Sequence, residues 1–474
     1  MHRTEVQFWN FAFQDFIPAE VSSMDRKQLS RRDFMRGTAV ATGAIFAART
    51  VVLEPGPLEA SPCPVPPSDR VSFGLVGVGI EGSGLLKTTL QIPGVECAAA
   101  ADLYDGHLGL AKEIMGEQPV TTTRRYRELL ENKDIDCIIC ATPDHWHKQV
   151  VIDCCNAGKD VYCEKPMSHG VSEGYEMVAA EQKTRRIVQV GSQRVSSTIF
   201  AKAKELISGG AIGDIYLVEA SMGRNGEFTA LRWPPPPDLS PQTLDWETWL
   251  GPAPKIPFNP LHFSSWRMWY TYGSGIAGDL FVHLLSGIYF ALGIQQPPQR
   301  ALAVGGQYKW KDERDIPDIH CCLYEHPQLV INMRVTVNTD TADNTKFLGT
   351  RGTIEIHGKE LILATQDDKD HQPSHYIRTF PKSFREEFAR KWHEENDAIV
   401  ARNVSETTTY LGTADINDTK PHLVNFFDAV RARRRVVEDT TFGNIVSIAC
   451  HMANYSYVHK GVAVWDASSK TIRG

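Results

Sequence analysis

The sequence predicts an α/β chain in which a doubly wound parallel sheet precedes a larger α+β domain with an open, mostly antiparallel sheet. Three observations carry this. Between Arg70 and about Gly191, short apolar runs ("VSFGLVGV", "VECAAAAD", "DCIICAT", "DVYCE", "IVQVG") alternate with helical stretches such as "DGHLGLAKEIMGE" and "HKQVVIDCCNAGK". Runs without polar alternation suit strands covered on both faces, and their alternation with helices implies right-handed crossovers. The second observation is the glycine-rich turn "GLVGVGIEGSG", residues 74–84, set between the first such strand and a helix. The third is the change after residue 300, where strand-like pieces ("RALAVGGQYKW", "HCCLYEH", "LVINMRVTVNT", "TKFLGTRGTIEIHG") follow one another before the chain returns to helix.

Three segments follow. Residues 1–69 read as a leader and Pro-rich linker, 70–191 as a dinucleotide-binding domain, and 192–474 as the second domain. Within the last, residues 224–277 hold "RWPPPPDLSP" and seven Trp and Tyr residues. Proline runs cannot enter a sheet interior, so this stretch is an ordered arm. In the leader, "SRRDFMR" precedes a short, mild apolar run, the layout of a twin-arginine export signal, with Met24 a natural start. This predicts an exported, periplasmic protein handled folded by the twin-arginine machinery, with anchoring by an uncleaved leader as the variant. The net charge of −7 and the absence of a basic stripe argue against nucleic acid. The ten cysteines lie mostly in apolar runs and read as buried small hydrophobes; no metal site is expected.

The glycines have separate physical tasks. Gly77 permits the tight turn, Gly79 lets backbone approach a pyrophosphate, and Gly82 allows close helix–strand packing. The helix start, with Ile80 and Glu81, offers unsatisfied N–H groups to phosphate. Asp102 lies twenty residues past Gly82 at a strand end, placed to accept from ribose hydroxyls and to favour NAD over NADP. "ATPDHWHKQVV" follows the next strand on the carboxyl edge of the sheet, so Thr142, Pro143, His145 and His147 are expected cofactor contacts. Two histidines without a third ligand make a poor zinc site. "YCEKPM" then places Glu164 and Lys165 at the same edge, and "GSQR" adds Gln193 and Arg194.

The succession of the glycine turn, "ATPDHWH", "CEKPM", "VQVGSQR", "AGDLFVH", "FLGTRGT" and "NFFDAVRAR" resembles the glucose–fructose oxidoreductase, inositol dehydrogenase and MocA-like (Gfo/Idh/MocA) family, in its exported bacterial branch. The resemblance implies a Rossmann domain, a bound nicotinamide dinucleotide, and dimers or tetramers; the best-known exported relative keeps NADP, whereas Asp102 argues for NAD. By position it makes Lys165 the catalytic lysine and Asp279 and His283 the Asp-x-x-x-His pair. Residues four apart share one helix face, which agrees. The implied chemistry has His283 take a hydroxyl proton, Asp279 orient it, and Lys165 stabilise the oxygen. Trp266 and Tyr272, with Trp269, are expected to offer flat apolar surface to a sugar. One departure from some relatives is Ser286, which stands where they carry an acid three residues after the histidine.

The expected function is NAD(P)-dependent hydride transfer at a sugar, polyol or glycoside hydroxyl, with cofactor retained and recycled. An NAD-assisted glycosidase or lyase, working by oxidation and elimination without net redox, is the alternative. A non-catalytic exported sugar-binding protein is the third.

Overall fold

The computed structural model describes residues 48–53, 69–366, 372–400, 406–415 and 417–474. The twin-arginine stretch, Met24 and most of the Pro-rich linker lie outside these residues. Among the described residues the first strand is β1 (Ala48–Val52), and the next six are β2 (Val71–Val76), β3 (Val95–Ala101), β4 (Thr121–Thr123), β5 (Cys137–Cys140), β6 (Asp160–Glu164) and β7 (Val188–Gly191). β2 to β7 form one sheet in the order β4-β3-β2-β5-β6-β7, with every neighbouring pair parallel. This is the doubly wound sheet the sequence predicts. Strands β5, β6 and β7 are buried at every residue, because helices cover both faces. One face packs Val150, Val151 and Met177; the other packs Leu85 and Leu86.

That second face is not closed by residues 70–191 alone. The helix Thr419–Ala432 returns from the far end of the chain and lays Phe426 and Phe427 beneath the sheet. The rings of Phe73 and Phe427 meet edge-on at 6.0 Å, and those of Tyr162 and Phe426 at 5.8 Å. Without this helix the sheet would expose large apolar rings, so the nucleotide domain is discontinuous in sequence.

The second sheet holds β8 (Ile215–Gly223), β9 (Arg300–Gly306), β10 (Ile319–His326), β11 (Leu329–Thr336), β12 (Thr341–Gly349), β13 (Gly352–His357), β14 (Glu360–Thr365), β15 (Thr407–Leu411), β16 (Val462–Asp466) and β17 (Thr471–Arg473). β1 completes it, giving eleven strands in the order β1-β15-β14-β13-β12-β8-β11-β10-β9-β16-β17. Pairing is antiparallel except for β1 with β15 and β8 with β11. The mostly antiparallel sheet is as expected, but β1 corrects the leader boundary. Residues 48–52 are an edge strand that pairs parallel with β15 along one side.

The arm at 224–277 is more built than a loop. It carries two short helices, Trp246–Leu250 and Pro260–Ser264, and buries Trp249, Phe263, Met268, Trp269 and Tyr272. It also reaches the nucleotide domain, where Leu244 pairs with Tyr104 and the Asp245 N–H donates to the Leu103 carbonyl at 3.1 Å.

Truncating Phe427 leaves a ring-sized void against Phe73, so Phe427→Ala is expected to lower unfolding free energy by about 3–5 kcal/mol. Urea melts of the two proteins measure this. An unchanged midpoint would show that the helix is not docked there.

Candidate active site

The glycine turn is forced by contact distances. Gly77 sits at φ +89°, in the left-handed region, and a β-carbon there would lie 2.5 Å from the Ala141 carbonyl oxygen. A β-carbon on Gly82 would lie 1.9 Å from the Gly77 oxygen. Gly79 caps the helix Ile80–Thr89 without any side-chain bond, so among the described residues the first N–H groups of that helix are left for a ligand in the space that Gly79, Ile80 and Glu81 line. Asp102 ties the turn to the next strand: its Oδ2 accepts the Val78 N–H at 2.7 Å and its Oδ1 the Tyr104 N–H at 3.0 Å. His107 Nδ1 lies 3.1 Å from the same carboxylate. Burial works against charge on His107, but the Asp102 carboxylate raises its pKa.

A cavity of about 560 Å³ runs over this turn. Of the expected contacts, Gly77, Gly79, Ile80, Glu81, Asp102, Thr142 and Pro143 line it. Its opposite wall is the arm, through Trp233, Trp249, Trp266 and Arg267. Arg124 and Arg127 also reach the rim, yet each holds an acid, Asp105 at 2.6 Å and Asp153 at 2.8 Å. Arg125 is likewise paired, with Glu128. A 2′-phosphate would find these guanidinium groups already paired. The outward N–H groups, the glycine cradle and Asp102 fit NAD.

β6 delivers Lys165 to the neighbouring edge. Its ammonium donates to Asp279 Oδ1 at 3.0 Å and to the Asp279 carbonyl at 2.9 Å. Asp279 lies in a π-helical turn, Ala277–Phe281, that leads into the helix Val282–Leu292. Such turns recur where a helix is bent to a task. The Arg267 Nε–H reaches the same carboxylate oxygen at 3.2 Å. Burial opposes ionisation of Asp279, but Lys165 and then Arg267 hold its carboxyl below the ordinary range. His283, one turn further, has no hydrogen-bond partner for Nδ1 among the described residues. Burial pushes its pKa well below 6.5, and the charges of Lys165 and Arg194 push the same way. The imidazole is therefore neutral at physiological pH, beside a fixed ammonium.

Several expectations are corrected by these positions. Asp279 does not orient His283; it orients Lys165 and Arg267. His145 and His147 do not face the cavity. The ring nitrogens of His145 lie 3.3 Å from the Tyr272 carbonyl and 3.1 Å from that of Trp249, and burial lowers its pKa to about 4. Those of His147 lie 2.8 Å from the Pro166 carbonyl and 2.9 Å from that of Thr142. The sulfurs of Cys140 and Cys163 come within 4.8 Å of His147, but these carbonyl contacts already occupy both of its nitrogens. Tyr272 is core, its hydroxyl at 3.0 Å from His262 Nδ1. Arg194 is fully buried and bound to Asp343 and Asn417, out of a substrate's reach. Gln193 and Glu164 are buried behind the cavity rather than lining it. Burial, then the Glu81 carboxylate, raises the Glu164 pKa well above the carboxylate range.

Trp233, His107 and Arg267 were not singled out from sequence. The arm's aromatic density was visible, but nothing in "SSWRMWY" says which side chain turns toward Asp279.

The family model described as "Oxidoreductase family, NAD-binding Rossmann fold" matches residues 71–192, and "GFO/IDH/MocA C-terminal domain" matches residues 200–355. The chain belongs to the Gfo/Idh/MocA oxidoreductase family. Similar curated proteins include inositol 2-dehydrogenase 1 of Saccharopolyspora erythraea, 31% identical over 150 residues, 31% of this chain and 44% of that one. Glycosyl hydrolase family 109 protein 1 of Shewanella sp. is 27% identical over 175 residues, 33% of this chain and 38% of that one. These matches span less than half the length of the relatives. Among solved structures, levoglucosan dehydrogenase in complex with NADH and levoglucosan aligns with a TM-score of 0.61 at 19% identity, covering 83% of this chain and 98% of that one. At that identity the likeness speaks for the fold.

Gly82→Ala is expected to abolish NADH binding, read by nucleotide fluorescence titration, because the new methyl overlaps the Gly77 carbonyl. Retained affinity would mean that the dinucleotide does not lie over this turn.

Proposed function

We propose that this protein is an NAD-dependent oxidoreductase acting on a CH–OH group of a sugar, polyol or related polyhydroxy compound. The observation that carries the reading is the meeting of Lys165, Asp279 and a neutral, half-buried His283 beside a cavity that fits a dinucleotide. The names of the relatives, inositol dehydrogenases among them, point to the same substrate class.

When bound, NAD supplies the acceptor for the hydride that leaves the carbinol carbon. The residues supply the rest. His283 takes the hydroxyl proton, which only an uncharged imidazole accepts. Lys165 donates to the substrate oxygen and holds it while negative charge grows there. Asp279 and Arg267 fix the lysine, so this contact is positioned before substrate arrives. Trp233 and Trp266 give the wall against which a sugar ring stacks.

Two further readings stand as proposals. Export by the twin-arginine route rests on "SRRDFMR" and the apolar run after it. Self-association through the second sheet rests on its exposed side chains Leu302, Val304, Leu323 and Val462. The similarity to a protein named glycosyl hydrolase favours one chemical alternative, elimination after transient oxidation. Aryl glycosides separate the two: release of the phenol without net NADH supports elimination, and NADH without release supports the dehydrogenase.

Lys165→Met and His283→Asn are each expected to lower kcat about 10²–10⁴-fold, with NADH affinity nearly unchanged by fluorescence titration. Loss of nucleotide binding in step with kcat would instead make these residues part of the cofactor seat. The pH profile has a definite sign. His283 works unprotonated, and its folded pKa is depressed, so kcat/KM stays level as pH falls through 6.5 and declines only below it. An acid limb centred at or above 6.5 would contradict the assignment of His283 as base.

A further inference from the structure

Charge around the reactive centre does not balance. Three cations, Lys165, Arg224 and Arg267, act on a single ionised carboxylate, Asp279. The fourth cation nearby, Arg194, is already matched by Asp343. Glu164, the next acid below, is kept uncharged by burial. Among the groups that act directly on Asp279 the surplus is two positive charges; the Glu81 carboxylate lies further off, acting on Glu164.

Arg224 is the unusual member. It follows the last residue of β8, and its backbone N–H is pinned to the Thr336 carbonyl at 2.9 Å, so the start of the side chain is fixed. The residue is half-buried. Among the described residues its guanidinium has no ion pair and no hydrogen bond, whereas Arg267 holds Asp279 and lies 4.1 Å over the Trp266 ring. Its charge reaches both Asp279 and His283. Arg224 does not line the cavity over the glycine turn, so the pyrophosphate of a dinucleotide is a poor candidate to balance it. A half-buried guanidinium without an ion pair is open to an anion, and its planar fork matches a carboxylate with two parallel N–H bonds.

We propose that the substrate is a sugar acid, a uronate or aldonate, whose carboxylate is held by Arg224 while its hydroxyl faces His283 and Lys165. This rests on the dehydrogenase reading and names the substrate class within it. The arrangement also has a catalytic consequence. Free, His283 is a weak base because burial disfavours its charged form and the nearby cations add to that. An incoming carboxylate offsets part of that field and strengthens the base when the correct ligand is present. A neutral sugar has no such effect.

The test measures binding and turnover separately on the full-length protein loaded with NADH or NAD. Calorimetry with NADH-loaded protein compares glucuronate with glucose and gluconate with sorbitol. The acids are expected to bind at least tenfold more tightly, as a charge-assisted bidentate contact gives. Arg224→Gln should remove that difference, and Arg224→Lys, which keeps the charge without the fork, should restore only part of it. Equal binding of acid and neutral partner, or no binding of the acids, overturns the proposal. So does a difference that survives in Arg224→Gln. Glucose 6-phosphate bound more tightly than glucuronate overturns the carboxylate and leaves a phosphate as the anion. Turnover with NAD tests the other claim: carboxylate-dependent binding without NADH production from any member of the panel defeats the dehydrogenase reading and leaves the Arg224 site standing.

Discussion

The ion pair between Lys165 and Asp279 is the contact on which the site's geometry rests. Its lysine ends a strand of the nucleotide sheet, and its aspartate lies on a helix of the second domain. Both side chains are almost out of water, at 11% and 14% exposure. Burying two charges is costly, and attraction repays it only when further hydrogen bonds satisfy the remaining donors and acceptors. Here the Asp279 carbonyl takes a second lysine proton and Arg267 takes the same carboxylate oxygen. Removing one member strands the others, so the pair works as a geometric lock between the two halves.

A second set of contacts keeps that lock aimed at the cavity. The two histidines of "DHWH" are spent as braces, one joining the nucleotide domain to the arm and the other joining two turns at the sheet edge. Trp146 adds its indole N–H to the Trp249 carbonyl at 2.9 Å. Asp144 accepts the Ser274 N–H at 2.9 Å, just before the π-helical turn that carries Asp279. A motif that looks like chemistry in the sequence is thus mostly scaffold: of the four side chains of "DHWH", only Trp146 lines the cavity.

This marks the limit of what could be read from residues alone. The parallel sheet was legible because short, largely apolar runs alternate with helical stretches, and the glycine turn because only glycine fits contacts of 1.9 and 2.5 Å. Lys165 and Asp279 were legible through their motifs, but Asp279 was given the wrong partner. Helix periodicity places His283 four residues on, and it cannot show that a lysine 114 positions earlier donates to Asp279 Oδ1 and to its backbone carbonyl. β1 hid in a stretch that looks like linker, since "ARTVV" acquires strand character only by pairing with β15. The helix Thr419–Ala432 read correctly as a helix, but its place under the other domain is a long-range fact that no local pattern encodes. Arg224 gave no signal at all, because a lone arginine after a strand is ordinary until its missing partner is seen.

The electrostatics of His283 connect these observations. A general base works best with a pKa near the operating pH, and this imidazole lies well below that point. The depression comes from burial and from cations the fold has other reasons to keep: Lys165 for the substrate oxygen, Arg194 for Asp343. Moving the base toward water would restore its strength but admit solvent to the reacting carbon. Adding a fixed acid would do so too, but that acid would pair with Lys165 and compete for its remaining proton. An anion that comes with the substrate avoids both conflicts. It is present only when needed, and it leaves with the product. Arg224, fixed at its backbone and without an ion pair among the described residues, is placed to receive it.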